Sequence, residues 1–170
     1  EYQHSFPGIF KWIQFVHAYV RKHQCAVSLF GRRRNLPNVT SPIRKFQFRA
    51  LRQGMNFVIQ SSASDMMLHA LKRLNDDFNR NGCDAQILAT VHDSVEVQCA
   101  KSELQDVLEI MKRSLSDTSD LKTYYNLDFQ IPFEVDVEAG TSFGRVTEAK
   151  FNDVGNLTNL PELISYVENL

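Results

Sequence analysis

The chain has 170 residues, 43% of them hydrophobic and 23% charged, the length and balance of one globular domain with its own core, which excludes a disordered or low-complexity segment. Its longest apolar runs, such as Ile87 to Ala89 and Val137 to Gly140, stop far short of the roughly 20 residues that a membrane-crossing helix needs, so a soluble protein with no membrane partner is expected. The net charge of -1 hides an asymmetry: residues 1–52 hold ten Lys or Arg against the single acid Glu1, and the remainder hold nine against nineteen.

The three cysteines, Cys25, Cys83 and Cys99, are an odd number without C-x-x-C spacing, and no basic-then-apolar leader precedes them. Both features point to a reducing, intracellular, cytoplasmic setting. The chain opens at Glu1 rather than Met, and Tyr2 to Phe6 runs straight into amphipathic sequence. The expectation is a fragment of something longer, or one half of a split enzyme.

In chain order, Phe6, Ile9, Phe10, Ile13, Val16 and Val20 fall at helical spacing, which predicts an amphipathic helix from Phe6 to His23 with Trp12, Phe15 and Tyr19 widening a buried aromatic stripe. Val27 to Phe30 reads as a short strand, Gly31 as a turn, and Arg32 to Pro42 as a basic loop punctuated by proline. A helical pattern then runs from Ile43 to Arg80, stopped by Asn81-Gly82, with a break expected near Ser61-Ser62 because serine competes for backbone hydrogen bonds. Ala85 to Thr90 and Val95 to Cys99 read as two buried strands joined through Val91-His92-Asp93-Ser94, a hairpin with an acid at its tip. Ser102 with Gln105 forms a capping-box pattern ahead of the next helix. Leu121 to Leu127 reads as a connection, Ile131 to Val137 as a last strand, and Asn152 to Leu170 as a tail with a short helix after Pro161. The sum is an α+β fold, a small antiparallel sheet covered on one face by helices.

Asp93 is the first candidate for chemistry. A carboxylate at the tip of a hairpin, flanked by Ile87, Leu88, Val91, Val95 and Val97, is rigidly placed and suits a metal ligand. Two divalent ions can activate an attacking hydroxyl and stabilise a leaving oxygen, with substrate phosphates completing a Mg²⁺ shell. The plainer reading is a turn aspartate, common at such positions. Arg32, Arg33, Arg34, Arg44, Lys45, Arg49 and Arg52 cluster as a phosphate-contacting footprint would, with a solvated helix face as the alternative. His4, His17, His23 and His69 show no ligand-like spacing.

Several motifs in order resemble family A DNA polymerases. His92-Asp93 between apolar strands is similar to the family's motif C, Gly31-Arg32-Arg33-Arg34-Asn35-Leu36-Pro37 to its G-R-R-x-x-L-P segment, and Arg52, Asn56, Gln60 and Asp65 to its R-x-x-x-N-x-x-x-Q-x-x-x-x-D helix. Phe6-Pro7-Gly8 with Trp12, and Gly140 to Gly144, extend the likeness over roughly residues 2 to 146. The resemblance implies a right-hand polymerase fold, residues 1–150 being the end of the fingers and the palm and 151–170 a C-terminal tail. It implies a DNA-directed DNA polymerase that extends a primer 3′-hydroxyl with dNTPs by a two-metal mechanism. Asp93 would bind the two Mg²⁺ ions through a ligand set partly outside this chain. His92 would help shape the primer-terminus site, Ser94 beside it is a further catalytic candidate, and Arg52, Asn56 and Gln60 would contact primer and template. Arg32, Arg33, Arg34 and Arg49 read as contacts to the DNA backbone, with internal ion pairs open as an alternative for the triplet.

Ser94 departs from the family pattern, in which glutamate usually follows the aspartate. Glu96 lies two residues on, where strand alternation places it on the face of Ser94. Single-subunit RNA polymerases of the phage type carry His-Asp-Ser here and are the nearest rival, with a non-catalytic DNA-binding subunit as a second. The family's other metal-binding aspartate and its nucleotide-gripping Arg and Lys would lie in an upstream polymerase segment, supplied in cis or in trans, without which negligible activity is expected.

Overall fold

The computed structural model describes residues 5–169; the expectations resting on Glu1, Tyr2, His4 and Leu170 fall outside the described residues. The chain divides into two compact units, Glu1–Met66 and Met67–Leu170, and one long helix contributes its first part to one and its second part to the other. No described helix is long and apolar enough to cross a membrane.

In the first unit, helix α1 spans Pro7–His23. Pro7 opens it with a pre-set φ and lacks only an N–H that the first turn would leave unpaired, and Gln24 closes it in the left-handed region, its N–H bonding Val20 O at 2.8 Å. Strand β1, Cys25–Val27, pairs antiparallel with β2, Arg33–Asn35, and a 3₁₀ turn covers Pro37–Thr40. The strand expected at Val27 to Phe30 therefore sits earlier, and the basic loop expected from Arg32 holds a strand. Ser28 explains the shift: its N–H bonds Arg32 O and its Oγ accepts from Arg32 N, which turns the chain where the strand was expected to run. Helix α2, Arg44–Asn81, runs unbroken through Ser61-Ser62. Ser62 Oγ donates to Val58 O, the carbonyl one turn back, at 2.6 Å and accepts from Leu29 N at 3.0 Å, so its hydroxyl is satisfied with the helix unbroken.

The core of this unit is Val16, Val20, Ala26, Leu36, Val39, Ala50 and Leu51, with Trp12, Met55, Phe57 and Val58 packed on it. The expected aromatic stripe of α1 is only partly in it: Val16 and Val20 are buried, whereas Phe6, Ile9 and Phe15 are exposed. Gly54 lets α2 come close, because a Cβ there would meet Val20 Cγ2 at 2.8 Å and Leu36 Cδ1 at 3.0 Å.

The second unit adds β3 (Gln86–Val91), β4 (Ser94–Gln98), a 3₁₀ turn at Lys101–Glu103, α3 (Leu104–Ser116), α4 (Ser119–Tyr125), β5 (Glu138–Ser142), β6 (Arg145–Glu148) and α5 (Leu160–Glu168). Among the described residues the strands form three two-stranded antiparallel sheets rather than one. Three further expectations are corrected. The Ser102–Gln105 capping box is not made, since a 3₁₀ turn occupies Ser102 and α3 starts at Leu104 without a side-chain cap. The Leu121 to Leu127 connection is largely helix α4. The strand expected over Ile131 to Val137 is absent; Pro132 has no N–H to give a ladder, Ile131 is exposed, and pairing begins at Glu138. Two clusters hold this unit: Leu74, Phe78, Val107 and Ile110, and Leu108, Val137, Ala139, Ala149 and Leu163. Leu163 of α5 is completely buried, which ties residues after Asn152 into the second cluster.

Candidate functional site

Strands β3 and β4 pair from Gln86↔Gln98 to Val91↔Ser94, which leaves His92-Asp93 as a two-residue turn. Such turns fit the twist of a hairpin when a central residue takes positive φ. His92 does so, at φ 56, in a region most side chains avoid, and Ser94 Oγ closes the turn on Val91 O at 3.0 Å. Ile87 faces Val97 and Ala89 faces Glu96, so Leu88 is a bulged extra residue, a device that bends a strand and re-aims its end.

Ile87, Val95 and Val97 pack on Leu74, Phe78, Val107 and Ile110. This holds the hairpin from one side only. The expectation of fully buried strands is corrected here, since Leu88 is 59% and Val91 45% exposed; the bulge rotates Leu88 off the core. Alternation from Val95 and Val97 puts Ser94 and Glu96 on the opposite face. Asp93 itself is exposed, with no ion pair among the described residues.

Among the described residues no three His, Cys, Asp or Glu gather to hold a metal. A hard cation such as Mg²⁺ takes oxygen donors and often only one or two carboxylates from a protein, the rest being water and phosphate. One exposed carboxylate on a short, braced turn fits that role as a single ligand. It does not make a complete site.

On α2, Arg52, Asn56 and Gln60 are all exposed, and their spacing by four aligns them on one helical face. Arg49, one turn earlier, is exposed too. The opposite face carries Ala50, Leu51, Gly54 and Val58, buried or packed against the core of the first unit. The stripe is thus presented by a helix whose other side is anchored.

The arginine triplet divides in three. Arg32 Nη2 donates to Asp65 Oδ1 at 2.6 Å and Ser28 Oγ to Asp65 Oδ2 at 3.3 Å, while Asp65 is 6% exposed. This bond and the Asp65 charge raise the Arg32 pKa. Arg33 Nη2 reaches Cys25 Sγ at 3.4 Å, and Arg34 lies over the Phe57 ring at 6.0 Å. The role of Asp65 as the buried anchor of the Gly31–Pro37 segment was not legible from spacing; a carboxylate on the apolar side of a helix was the available signal. His17 has a buried Nε2 without a hydrogen-bond partner among the described residues, and burial first, then Arg21, lowers its pKa. His69 Nε2 and Tyr125 Oη are 3.0 Å apart.

The model of DNA polymerase family A matches residues 1–145. A DNA polymerase of Bacillus phage SP01 is 29% identical over 154 residues, which are 91% of this chain and 17% of that protein. DNA polymerase I of Treponema pallidum is 31% identical over 143 residues, 84% of this chain and 14% of that protein. Among solved structures, the POL domain of Pol1 from M. smegmatis, in complex with DNA primer-template and dNTP, aligns with a TM-score of 0.64 at 26% identity, covering 68% of this chain and 20% of that one. The chain therefore spans a fifth or less of the length of these relatives.

Proposed function

The chain belongs to DNA polymerase family A, and from that premise we propose that it is a palm and fingers portion of a DNA-directed DNA polymerase, working with a polymerase segment that it does not itself contain. Residues 1–150 form the catalytic portion in this reading and 151–170 a C-terminal extension. The setting is intracellular. The observation that carries the proposal is the exposed Asp93 on a two-residue turn, braced from one side by Ile87, Val95 and Val97.

Asp93 would be one ligand of Mg²⁺, the remaining carboxylate coming from the upstream segment. Two such ions supply activation of the primer 3′-hydroxyl and stabilisation of the departing pyrophosphate. His92, fixed in its left-handed conformation, and Ser94 border the same turn and position the primer end. Arg52, Asn56 and Gln60 face the duplex. Amide and guanidinium donors suit the minor-groove acceptors common to all base pairs, so the stripe senses pair geometry without reading sequence. Arg33, Arg34 and Arg49 contact backbone phosphates, and Arg32 does so with whatever part of its guanidinium Asp65 leaves open.

Positioning and electrostatics carry most of the acceleration in phosphoryl-type transfer. A rigid hairpin and an anchored helix provide the first of these. The DNA polymerases among the relatives favour this reading over an RNA polymerase, despite Ser94. Primer extension by the chain joined to its native upstream segment tests it. Deoxynucleotides are expected to be incorporated in preference to ribonucleotides, and only with Mg²⁺. Ribonucleotide preference would reverse the assignment, and salt-sensitive DNA binding without extension would leave a binding subunit.

A further inference from the structure

We propose that the Phe15–Tyr19–His23 face of α1 is a stacking platform for single-stranded nucleic acid, distinct from the duplex-facing stripe of α2. The three rings recur every fourth residue and so share one side of the helix. Their centroids are 6.5 Å apart for Phe15 and Tyr19 and 4.3 Å for Tyr19 and His23, at interplanar angles of 38° and 33°. The series is therefore a run of tilted, partly overlapping rings.

Packing does not explain it. The core-facing residues of α1 are Val16 and Val20, whereas Phe15 is 66% exposed and His23 is exposed as well. Among the described residues nothing covers Phe15, a large aromatic held in water beside two further rings.

Charge selects the partner. Helix α1 carries Lys11, Arg21 and Lys22 and no acid. Lys11 and Lys22 lie four before and seven after Phe15, hence on its side of the helix, and both are exposed. Rings exposed at Phe15 and His23 and half-buried at Tyr19, interleaved with cations, match a polyanion with accessible π-faces. In a duplex the base faces are stacked away, so only unpaired nucleotides offer them. The eight residue steps from Phe15 to His23 span about 12 Å of helix, room for roughly three or four nucleotides at about 3.4 Å each.

Fluorescence anisotropy tests this with the whole chain in EDTA, which silences any metal-dependent step and makes the result independent of the polymerase reading. The probes are a labelled oligothymidylate of about 12 nucleotides, within the usual size of single-strand sites, and a labelled blunt duplex of equal length. Phe15→Ala is expected to weaken oligothymidylate binding about 5- to 150-fold, the loss of one stacked base, and to leave the duplex within about twofold. Phe15→Leu, which keeps apolar bulk without a π-face, is expected to behave like Phe15→Ala. Lys22→Gln, an exposed change that spares the rings, is expected to flatten the slope of log affinity on log salt by about 0.7. The proposal is overturned if wild type does not bind the oligothymidylate, if both probes lose equally, if Phe15→Leu binds like wild type, as an apolar protein contact would, or if Lys22→Gln leaves the slope unchanged.

Discussion

Replacing Gly54 tests the close approach that anchors the polar stripe of α2. In Gly54→Ala the new methyl would sit 2.8 Å from Val20 Cγ2 and 3.0 Å from Leu36 Cδ1, against an optimum of about 3.5 to 4.0 Å between carbons. Val20 is completely buried and Leu36 is 4% exposed. A β-branched side chain in a helix has essentially one rotamer, so Val20 cannot swing away and the two helices must part. Overpacking of this kind costs about 1 to 3 kcal/mol. Alanine returns about 1 kcal/mol of helix propensity, which leaves a net destabilisation of about 0 to 2 kcal/mol. Gly8→Ala is the matched control, because nothing lies within 4 Å of a Cβ there and only the propensity gain applies. Urea denaturation of both variants should therefore separate them by about 1 to 3 kcal/mol, Gly8→Ala above wild type and Gly54→Ala at or below it. Equal stabilisation of the two would refute the packing of α2 on α1.

Gly140→Ala is expected to lower the melting temperature further, because its Cβ would collide with the Arg145 carbonyl oxygen and lie 2.9 Å from Val146 Cα, backbone that cannot rotate aside; an unchanged melt would contradict the β5–β6 register. His17, whose folded pKa is lowered by burial, makes the unfolded chain the better proton binder near its ordinary value of about 6.5. Its contribution to stability is full above that value and is lost as pH falls through the depressed folded one, and His17→Gln should remove this part of the slope in urea midpoints measured between neutral and mildly acidic pH. Arg32→Ala removes the cation that bonds buried Asp65, so its urea midpoint should drop and, through its open guanidinium edge, the salt slope of duplex binding should fall by less than about 0.9; Arg49→Ala should reduce that slope by about 0.9 and leave the midpoint unchanged.

The hairpin was legible in the sequence because two apolar runs with a polar pair between them admit few arrangements, and His92-Asp93 falls where the pattern places it. The stripe of Arg52, Asn56 and Gln60 was legible for a similar reason, a spacing of four on a helix. Long-range effects were not. Ser62 stays helical because Leu29, thirty-three residues away, uses its hydroxyl. Leu88 turns outward because of a bulge that no local preference signals. The rings at Phe15 and Tyr19 carry the same hydrophobicity as core residues, and only the placement of Val16 and Val20 shows which side of α1 is covered. Arg32 reads as one of three equal cations until Asp65 is folded beneath it.

The most direct measurement is single-turnover incorporation of one deoxynucleotide, in Mg²⁺, by the chain joined to its native upstream segment, with wild type and Asp93→Asn compared at saturating primer-template. Asp93→Asn preserves the size of the side chain and removes a charge from an exposed turn, so primer-template affinity should hold. The rate should fall by at least about 10²-fold, the scale of losing one electrostatic contact to the reacting centre. An undiminished rate would show that Asp93 is a turn residue and no metal ligand.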